Sequence, residues 1–153
     1  MKEMKIMLVD DEERFLSTTK KLLERKGLQV STASSGSEAL DKLMAENVHV
    51  VILDVKMPGM DGIATLKAIK AQHPLVEVIL LTGHATVESA VDGLKSGATD
   101  YLMKPTDIDE LVTKAEEAFA KRKVLEEKIR MATFKWTMKQ PRDILKDAGK
   151  IEE

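Results

Sequence analysis

The chain has 153 residues, of which 43% are hydrophobic, and this is enough to bury one core of domain size. Its 24 basic and 26 acidic residues give a net charge of −2, which argues against general attraction to nucleic acid or to an anionic membrane surface. Cysteine is absent, so disulfide bonds, thiolate metal sites and cysteine nucleophiles are excluded. The N-terminus lacks a signal-peptide pattern and no apolar run approaches the roughly 20 residues of a membrane span, so we expect a cytoplasmic protein without a membrane partner.

Short apolar, β-rich segments alternate with segments of helical spacing along most of the chain. Helix signals lie between them: Gly27 is placed to end the first helix, Ser35 and Glu38 form the pattern of a capping box, and Thr106 with Asp109 forms another. Runs such as VVIL are apolar on both faces, which is typical of a parallel sheet covered by helices. We therefore predict a doubly wound α/β sandwich. Its predicted strands are Lys5–Val9, Gln29–Ala33, Val48–Leu53, Val78–Leu81 and Thr99–Met103.

Polar residues follow four of the five predicted strands. Asp10 and Asp11 come after the first, Asp54 after the third, Thr82 after the fourth and Lys104 after the fifth. In a doubly wound sheet these carboxyl ends form the functional edge, so the three carboxylates would repel one another there unless a cation neutralised them. Mg²⁺ prefers oxygen ligands and accepts phosphate oxygens in its shell. We predict a Mg²⁺ site with Asp11 and Asp54 as direct ligands and Asp10 bound directly or through water.

Asp54 is the predicted nucleophile, because a carboxylate can take up a phosphoryl group as an acyl phosphate. Phosphoryl transfer needs in-line positioning and neutralised phosphoryl oxygens. The metal, an ion pair with Lys104 and a hydrogen bond from the Thr82 hydroxyl are expected to supply this neutralisation. Behind Asp54, Pro58, Gly59 and Gly62 of KMPGMDG favour a tight turn that brings the backbone carbonyl of Lys56 to the metal.

The segments VDDE, VVILDVKMPGMDG, LLTGHA and ATDYLMKP resemble, in order and spacing, the receiver domain of two-component response regulators across about residues 4–120. The sequences of the last two segments are similar to those of receivers of nitrogen-regulatory type. The resemblance implies a flavodoxin-like sheet of strand order 2-1-3-4-5 with five helices. The helical pattern that continues from about Asp107 predicts that the last helix is extended. It also implies that a histidine kinase or a histidine phosphotransfer protein donates the phosphoryl group to Asp54, with Mg²⁺ held by Asp11, Asp54 and the Lys56 carbonyl.

The same resemblance implies a switch. Thr82 and Tyr101 match the threonine and the aromatic residue that couple phosphorylation to the face built from the fourth helix, the fifth strand and the fifth helix. It further implies a cis peptide bond between Lys104 and Pro105. We expect this face to bind a downstream effector protein or a second copy of the chain, with no direct nucleic-acid binding.

These observations predict a phosphoryl-accepting switch in two-component signal transduction, whose catalysis is limited to its own phosphorylation and dephosphorylation. One alternative is a Mg²⁺-dependent aspartyl-phosphate phosphatase of haloacid dehalogenase type. Such enzymes are expected to place the nucleophile in an Asp-x-Asp motif after the first strand, whereas this chain has adjacent acids there. A flavin- or nucleotide-binding module is disfavoured by the same clustered negative charge. A phosphorylation-independent adaptor is the remaining alternative, although no site residue is missing.

We divide the chain into a receiver domain of residues 1–120 and a helical extension and tail of residues 121–153. The extension holds ten basic and six acidic residues, so it is mildly basic. It is too short for a common output domain, and it is either a linker to such a domain or an extended helix of a stand-alone regulator that mediates dimerisation or docks a partner. Its apolar side chains are Val124, Leu125, Ile129, Phe134, Trp136 and Met138.

Overall fold

Five strands and five helices alternate in a computed structural model, which describes residues 3–55, 61–83 and 86–138. The predicted alternation is confirmed, with small shifts at the ends of the last three strands. In chain order the elements are β1 (Lys5–Val9), α1 (Glu13–Arg25), β2 (Gln29–Ala33), α2 (Gly36–Ala45), β3 (Val50–Leu53), α3 (Gly62–Gln72), β4 (Glu77–Thr82), α4 (Val87–Lys95), β5 (Asp100–Met103) and α5 (Ile108–Thr137).

All five strands form one parallel sheet in the order β2-β1-β3-β4-β5, which confirms the doubly wound, flavodoxin-like topology. The strand order reverses between β1 and β3, because the chain passes from β1 to one side and later returns to the other. Val9 at the end of β1 is in register with Leu53 at the end of β3. The next residues, Asp10 and Asp54, therefore leave neighbouring strands at the same level, and the Asp54 N–H donates to the Val9 carbonyl at 2.9 Å.

Strand side chains alternate between two apolar layers, as the pleat of a strand requires. Ile6 and Leu8 of β1 pack in the layer that includes α1 and α5, whereas Met7 and Val9 pack in the layer that includes α2 and α3. β3 and β4 are buried along their whole length. This burial on both faces is what the continuous apolar runs predicted.

The helix that follows β2 begins with half of the predicted capping box. The Ser35 hydroxyl accepts the Glu38 N–H at 3.1 Å, as predicted. The Glu38 carboxylate binds the N–H and hydroxyl of Ser34, at 2.7 and 2.8 Å, rather than the N–H of Ser35. The glutamate side chain is long enough to reach the residue before the cap.

At the C-terminal end of α1, Gly27 has a φ of +88°, so its predicted role as a helix terminator is confirmed.

The start of α5 differs from the prediction. The carboxylate of Asp107 accepts the Glu110 N–H at 2.7 Å, so Asp107 caps the helix one residue after the predicted cap at Thr106. The Thr106 hydroxyl instead donates to the Glu110 carboxylate at 3.0 Å. The predicted pairing of Thr106 with Asp109 was therefore wrong, because Asp107 competes for the same unpaired N–H groups at the start of the helix.

The contacts within the chain divide it into two units, Met1–Arg122 and Lys123–Glu153. In the first unit, the buried apolar residues extend from Met4 to Ala118. In the second unit, the described residues are helical to Thr137 and exposed along their length. The predicted domain division at residues 120 and 121 stays a prediction. Among the described residues, no helix combines the length and the apolar character needed to cross a bilayer.

Candidate functional site

Three carboxylates meet at the carboxyl edge of the sheet. Asp10 and Asp11 follow β1 and Asp54 follows β3, and a carboxylate oxygen from each lies within 4.8 Å of the others. Asp10 and Asp54 are 1% and 6% exposed, whereas Asp11 is exposed. The structure thus brings together the three acids that strand-end placement selected. Two of them have little access to water, which strengthens their mutual repulsion.

Lys104 at the end of β5 neutralises part of this charge. Its ammonium lies 2.5 Å from Asp10 Oδ2 and 3.4 Å from Glu12 Oε1. Its backbone N–H donates to the Thr82 carbonyl at 2.9 Å, which fixes the end of β5 beside the end of β4. The ammonium also lies 4.1 Å from the centre of the Phe15 ring, a cation–π distance. Lys104 is therefore held in place by both charge and packing.

The charges of this group shift one another's protonation. Burial raises the pKa of Asp10 above its ordinary value, although the hydrogen bonds from Lys104 and from the Glu12 N–H act in the opposite direction. Burial also disfavours the charged form of Lys104, but its hydrogen bond to Asp10 and the nearby carboxylates outweigh this and raise its pKa. Lys104 is thus held as a cation, whereas burial makes the charged form of Asp10 less favourable.

Asp54 is the least satisfied member of the cluster. Its Oδ1 atom is buried and has no hydrogen-bond partner among the described residues. A buried carboxylate oxygen without a donor is costly unless a cation or a ligand reaches it. The donor set therefore fits a hard divalent cation with oxygen ligands. Lys56, whose carbonyl was predicted as a further ligand, lies outside the described residues.

Gly62 supports the backbone that carries Asp54. A Cβ atom at Gly62 would lie 2.4 Å from both the Asp54 carbonyl oxygen and the Val55 Cα, closer than real side chains approach. The Gly62 N–H donates to the Val55 carbonyl at 2.7 Å. The start of α3 therefore packs directly on the Asp54 backbone, and only glycine leaves the necessary space.

The two predicted switch residues lie at different depths. Thr82 is fully buried at the end of β4. Tyr101 is half-buried in β5, and its hydroxyl lies 3.1 Å from Ser89 Oγ. Ser89 also forms a capping box with Thr86, since each side chain binds the other residue's N–H at 3.0 Å. Tyr101 is consequently tied to the first turn of α4.

The cis peptide bond implied between Lys104 and Pro105 is present. Three contributors to the site were missed in the sequence: Glu12 and Phe15, which contact Lys104, and Ser89, which contacts Tyr101. Glu12 and Phe15 follow the paired acids within about one helical turn, a position that already marks them as neighbours of the site. Ser89 lies three residues after Thr86, which is capping-box spacing.

The chain matches the family model described as the response regulator receiver domain over residues 6–116. It is 44% identical over 115 residues to the transcriptional regulatory protein ZraR of Escherichia coli strain K12, covering 75% of this chain and 26% of that protein. It is 42% identical over 113 residues to the DNA-binding transcriptional regulator NtrC of Klebsiella pneumoniae, covering 74% and 24%. The chain thus spans about a quarter of the length of these relatives.

Solved structures agree with the family match. A response regulator receiver domain from Clostridium thermocellum superposes with a TM-score of 0.75 at 39% identity, covering 80% of this chain and 98% of that one. A CheY-like receiver domain protein from Methanospirillum hungatei JF-1 gives a TM-score of 0.75 at 32% identity, covering 78% and 96%. These neighbours are similar over nearly their whole length.

Proposed function

The chain belongs to the response regulator receiver family, and we propose from this that it accepts a phosphoryl group on Asp54 from a histidine kinase or a histidine phosphotransfer protein. The observation that carries the proposal is the buried, incompletely satisfied Asp54 carboxylate, grouped with Asp10 and Asp11 beside the Lys104 ammonium. The protein then acts as a switch, with catalysis limited to its own phosphorylation and dephosphorylation. Its proposed location is the cytoplasm, where such donors are phosphorylated.

In the transfer step, a carboxylate oxygen of Asp54 attacks the phosphorus of a phosphohistidine. The new P–O bond forms as the P–N bond breaks, and the departing electron pair remains on the imidazole. The Lys104 ammonium, held beforehand by Asp10, pairs with one phosphoryl oxygen. The Thr82 hydroxyl donates a hydrogen bond to another. Lys104 thus exchanges the Asp10 carboxylate for a phosphoryl oxygen and keeps its positive charge throughout.

The acidic cluster fits Mg²⁺, since three carboxylates offer oxygen atoms within 4.8 Å of one another. Asp11 and Asp54 would bind it directly, Asp10 directly or through water, and the Lys56 carbonyl would complete the protein ligands. When bound, the metal neutralises phosphoryl oxygens during transfer. Asp10 would then be shared between the ion and the Lys104 ammonium, which would leave Lys104 freer to pair with a phosphoryl oxygen.

The switch step follows from the contacts of Tyr101. A phosphoryl oxygen draws the Thr82 hydroxyl toward it, and the Tyr101 ring fills the space that this movement leaves. Inward movement breaks the hydrogen bond between Tyr101 and Ser89 and loosens the first turn of α4. α4 and β5 carry exposed apolar residues, Val87, Val91, Leu94 and Met103, and we propose that this altered face binds a downstream effector protein or a second copy of the chain.

The test is the intact mass of the protein after incubation with acetyl phosphate, with and without Mg²⁺. The wild-type chain should gain one phosphoryl group only when Mg²⁺ is present. Asp54→Asn should abolish the gain, whereas Asp61→Asn, which alters the exposed cap of α3, should retain it. A Mg²⁺-dependent adduct that persists in Asp54→Asn would overturn the assignment. A folded wild-type protein that takes up nothing from acetyl phosphate or from a phosphorylated histidine donor would favour the phosphorylation-independent adaptor.

A further inference from the structure

A cavity of about 290 Å³ lies at the amino-terminal edge of the sheet, opposite the edge that carries Asp54. It is lined by the segment between α2 and β3, the segment between α3 and β4, and the part of α5 that ends the first unit. Parallel strands place their amino ends at one edge and their carboxyl ends at the other, so the cavity is separate from the acidic cluster. Its apolar side is formed by Leu43, Val48, Leu75 and Val76.

One imidazole nitrogen of the cavity wall is unsatisfied. His73 lines the cavity, and its Nε2 atom is buried and has no hydrogen-bond partner among the residues that the structure describes. The backbone of His73 is fixed, because its N–H donates to the Ile69 carbonyl at 2.7 Å and its carbonyl accepts the Val76 N–H at 3.0 Å. A buried polar atom without a partner is costly, so a ligand oxygen that accepts a hydrogen bond from Nε2 recovers the loss.

Arg122 brings a guanidinium group to the same wall. It is half-buried, and its Nη1 donates to the Val48 carbonyl at 2.9 Å, which positions the group. About one turn earlier in α5, the Phe119 ring contacts the His49 ring edge-on, with 5.1 Å between the ring centres. The end of the first unit is therefore held at two points. A guanidinium group held in this way suits a carboxylate, which it can bind through two N–H groups at once.

Further positive charge lies beside the segment between α3 and β4. The Lys70 ammonium donates to two backbone carbonyls of that segment, both at 2.9 Å. Burial lowers the pKa of Lys70, and the neighbouring charges of Lys121 and Arg122 also lower it, whereas Glu77 acts in the opposite direction. These three cations therefore share one region of the surface, which favours an anionic ligand there.

One carboxylate and the size of the cavity restrict the ligand further. Glu46 lines the cavity and pairs with Lys5 at 2.8 Å, and the hydrogen bond from Lys5 lowers the pKa of Glu46, which keeps it ionised. A ligand with several negative charges would be repelled by Glu46, so a single charge fits better. A volume of about 290 Å³ is near the lower end for ligand sites. It holds about ten non-hydrogen atoms if each takes roughly the 30 Å³ of a liquid water molecule.

We propose that this cavity binds a free organic monocarboxylate with a small apolar body. The carboxylate accepts hydrogen bonds from the Arg122 guanidinium and from His73 Nε2, and the apolar body packs against Leu43 and Leu75. The inference rests on the amino-terminal edge of the sheet and does not depend on the proposed phosphorylation of Asp54.

NMR titration of the full chain with sodium benzoate, and separately with sodium isovalerate, tests the proposal. Backbone amides within residues 46–48 and 73–76 should shift and saturate with a dissociation constant of about 1 mM or tighter, whereas equal sodium chloride should leave them unchanged. Benzamide has the shape of benzoate without its charge and should bind at least about tenfold more weakly. If neither carboxylate saturates these amides, or if benzamide binds as well as benzoate, the proposal is wrong.

Variants locate the binding groups. Arg122→Gln keeps a hydrogen-bond donor but removes the charge, and it should weaken benzoate binding by at least about tenfold. Lys121→Gln is the matched control, since Lys121 is exposed and adjacent in sequence but lies outside the cavity wall, and it should bind benzoate as the wild type does. Equal affinities of these two variants would show that general attraction to positive charge, and not the cavity, is measured.

A second variant keeps the test independent of the fold. His73→Phe preserves a ring of similar shape and removes a buried, unsatisfied nitrogen, so it should not destabilise the protein. It should nevertheless weaken benzoate binding by about threefold or more. Thermal unfolding of each variant checks that a lost ligand does not reflect a lost fold. Wild-type affinity in folded His73→Phe would contradict the assigned role of the imidazole.

A protein C-terminus offers the same carboxylate chemistry as a free acid, and a short acetylated peptide that ends in leucine distinguishes the two sources. If the cavity takes a free acid, this peptide should bind no more tightly than isovalerate, because only the carboxylate and the apolar body are recognised. Binding of the peptide that is tighter by about tenfold or more would assign the cavity to a protein C-terminus and overturn the proposed ligand.

Discussion

At the scale of single residues, Asp54 combines burial with incomplete satisfaction. It is 6% exposed, and its Oδ1 atom has no hydrogen-bond partner among the residues that the structure describes. Two further carboxylates lie within 4.8 Å. An arrangement of this kind reduces the stability of the metal-free fold, and a bound cation recovers the loss.

We therefore predict that Asp54→Asn stabilises the metal-free protein by about 1 kcal/mol, because it removes one of three converging charges. The stabilisation by added Mg²⁺ should shrink in the same variant. Denaturant unfolding with and without Mg²⁺ measures both effects. Asp61→Asn serves as a control that leaves the Mg²⁺ response intact. If Asp54→Asn lowers stability in the absence of metal, charge repulsion is not the dominant property of the cluster.

Lys104 is the residue that compensates for Asp10. The Asp10 side chain is 2% exposed and the ammonium of Lys104 lies 2.5 Å away, so removing Lys104 leaves a buried carboxylate without its cation. We predict that Lys104→Ala lowers the metal-free unfolding free energy by about 2 kcal/mol, and that saturating Mg²⁺ restores most of this loss. Lys114→Ala removes an ion pair with Asp100 whose two side chains are 33% and 36% exposed, and it should change little because solvent screens the pair. Equal losses in the two variants would contradict the prediction.

Strand-end placement was sufficient to select the acids and Lys104 from the sequence, because parallel strands bring their carboxyl ends to one edge. It could not select Phe15, whose contact with Lys104 depends on how α1 packs against the end of β5. The glycine at position 62 was predicted to permit a turn. Its closest contact is with the backbone of Asp54, which only the folded structure reveals.

At the scale of secondary-structure elements, the start of α3 fixes the position of Asp54. A Cβ atom added at Gly62 would lie 2.4 Å from backbone atoms, which cannot rotate away as a flexible side chain would. We predict that Gly62→Ala shifts the Asp54 backbone and slows phosphorylation by acetyl phosphate by about tenfold or more, because transfer depends on accurate alignment. Gly83→Ala is the comparison for stability, since a Cβ there meets no atom within 4 Å. If acetyl phosphate phosphorylates Gly62→Ala at the wild-type rate, this role of Gly62 is contradicted.

The first turn of α4 is stabilised by Thr86, Ser89 and the Tyr101 hydroxyl together. Ser89→Ala removes the reciprocal cap and the contact to Tyr101, so we predict a loss of about 1 kcal/mol and faster amide hydrogen exchange in α4. Tyr101→Phe removes only the hydrogen bond between Tyr101 and Ser89 and should produce a smaller increase in exchange rate. Hydrogen exchange measured by mass spectrometry distinguishes the two. Unchanged exchange in Ser89→Ala would show that the cap does not control this turn.

Helix ends were the least predictable parts of these elements. Ser35 was correctly identified as a cap from the sequence, yet the glutamate three residues later binds Ser34. At α5, Asp107 rather than Thr106 caps the helix. In both cases several neighbouring side chains can satisfy the same N–H groups, and the choice depends on loop conformation rather than on residue type.

At the scale of the whole molecule, the alternation of apolar runs and helical segments was enough to predict a doubly wound sheet. The strand order came from the family resemblance, because the alternation alone does not determine which strands are neighbours. The sheet places Asp10, Asp54 and Lys104 together although they are distant in sequence. The second unit was recognised from the sequence as unusually apolar, and its described residues expose large apolar side chains.

Residue-resolved mapping of the adduct is the most direct test of the proposal that the phosphoryl group resides on Asp54. Borohydride reduces an aspartyl phosphate to homoserine, and trypsin should release residues 43–56, in which Asp54 is the only aspartate. After phosphorylation in the presence of Mg²⁺, tandem mass spectrometry should find homoserine at position 54. Homoserine at position 10 or 11, with position 54 unchanged, would contradict the account.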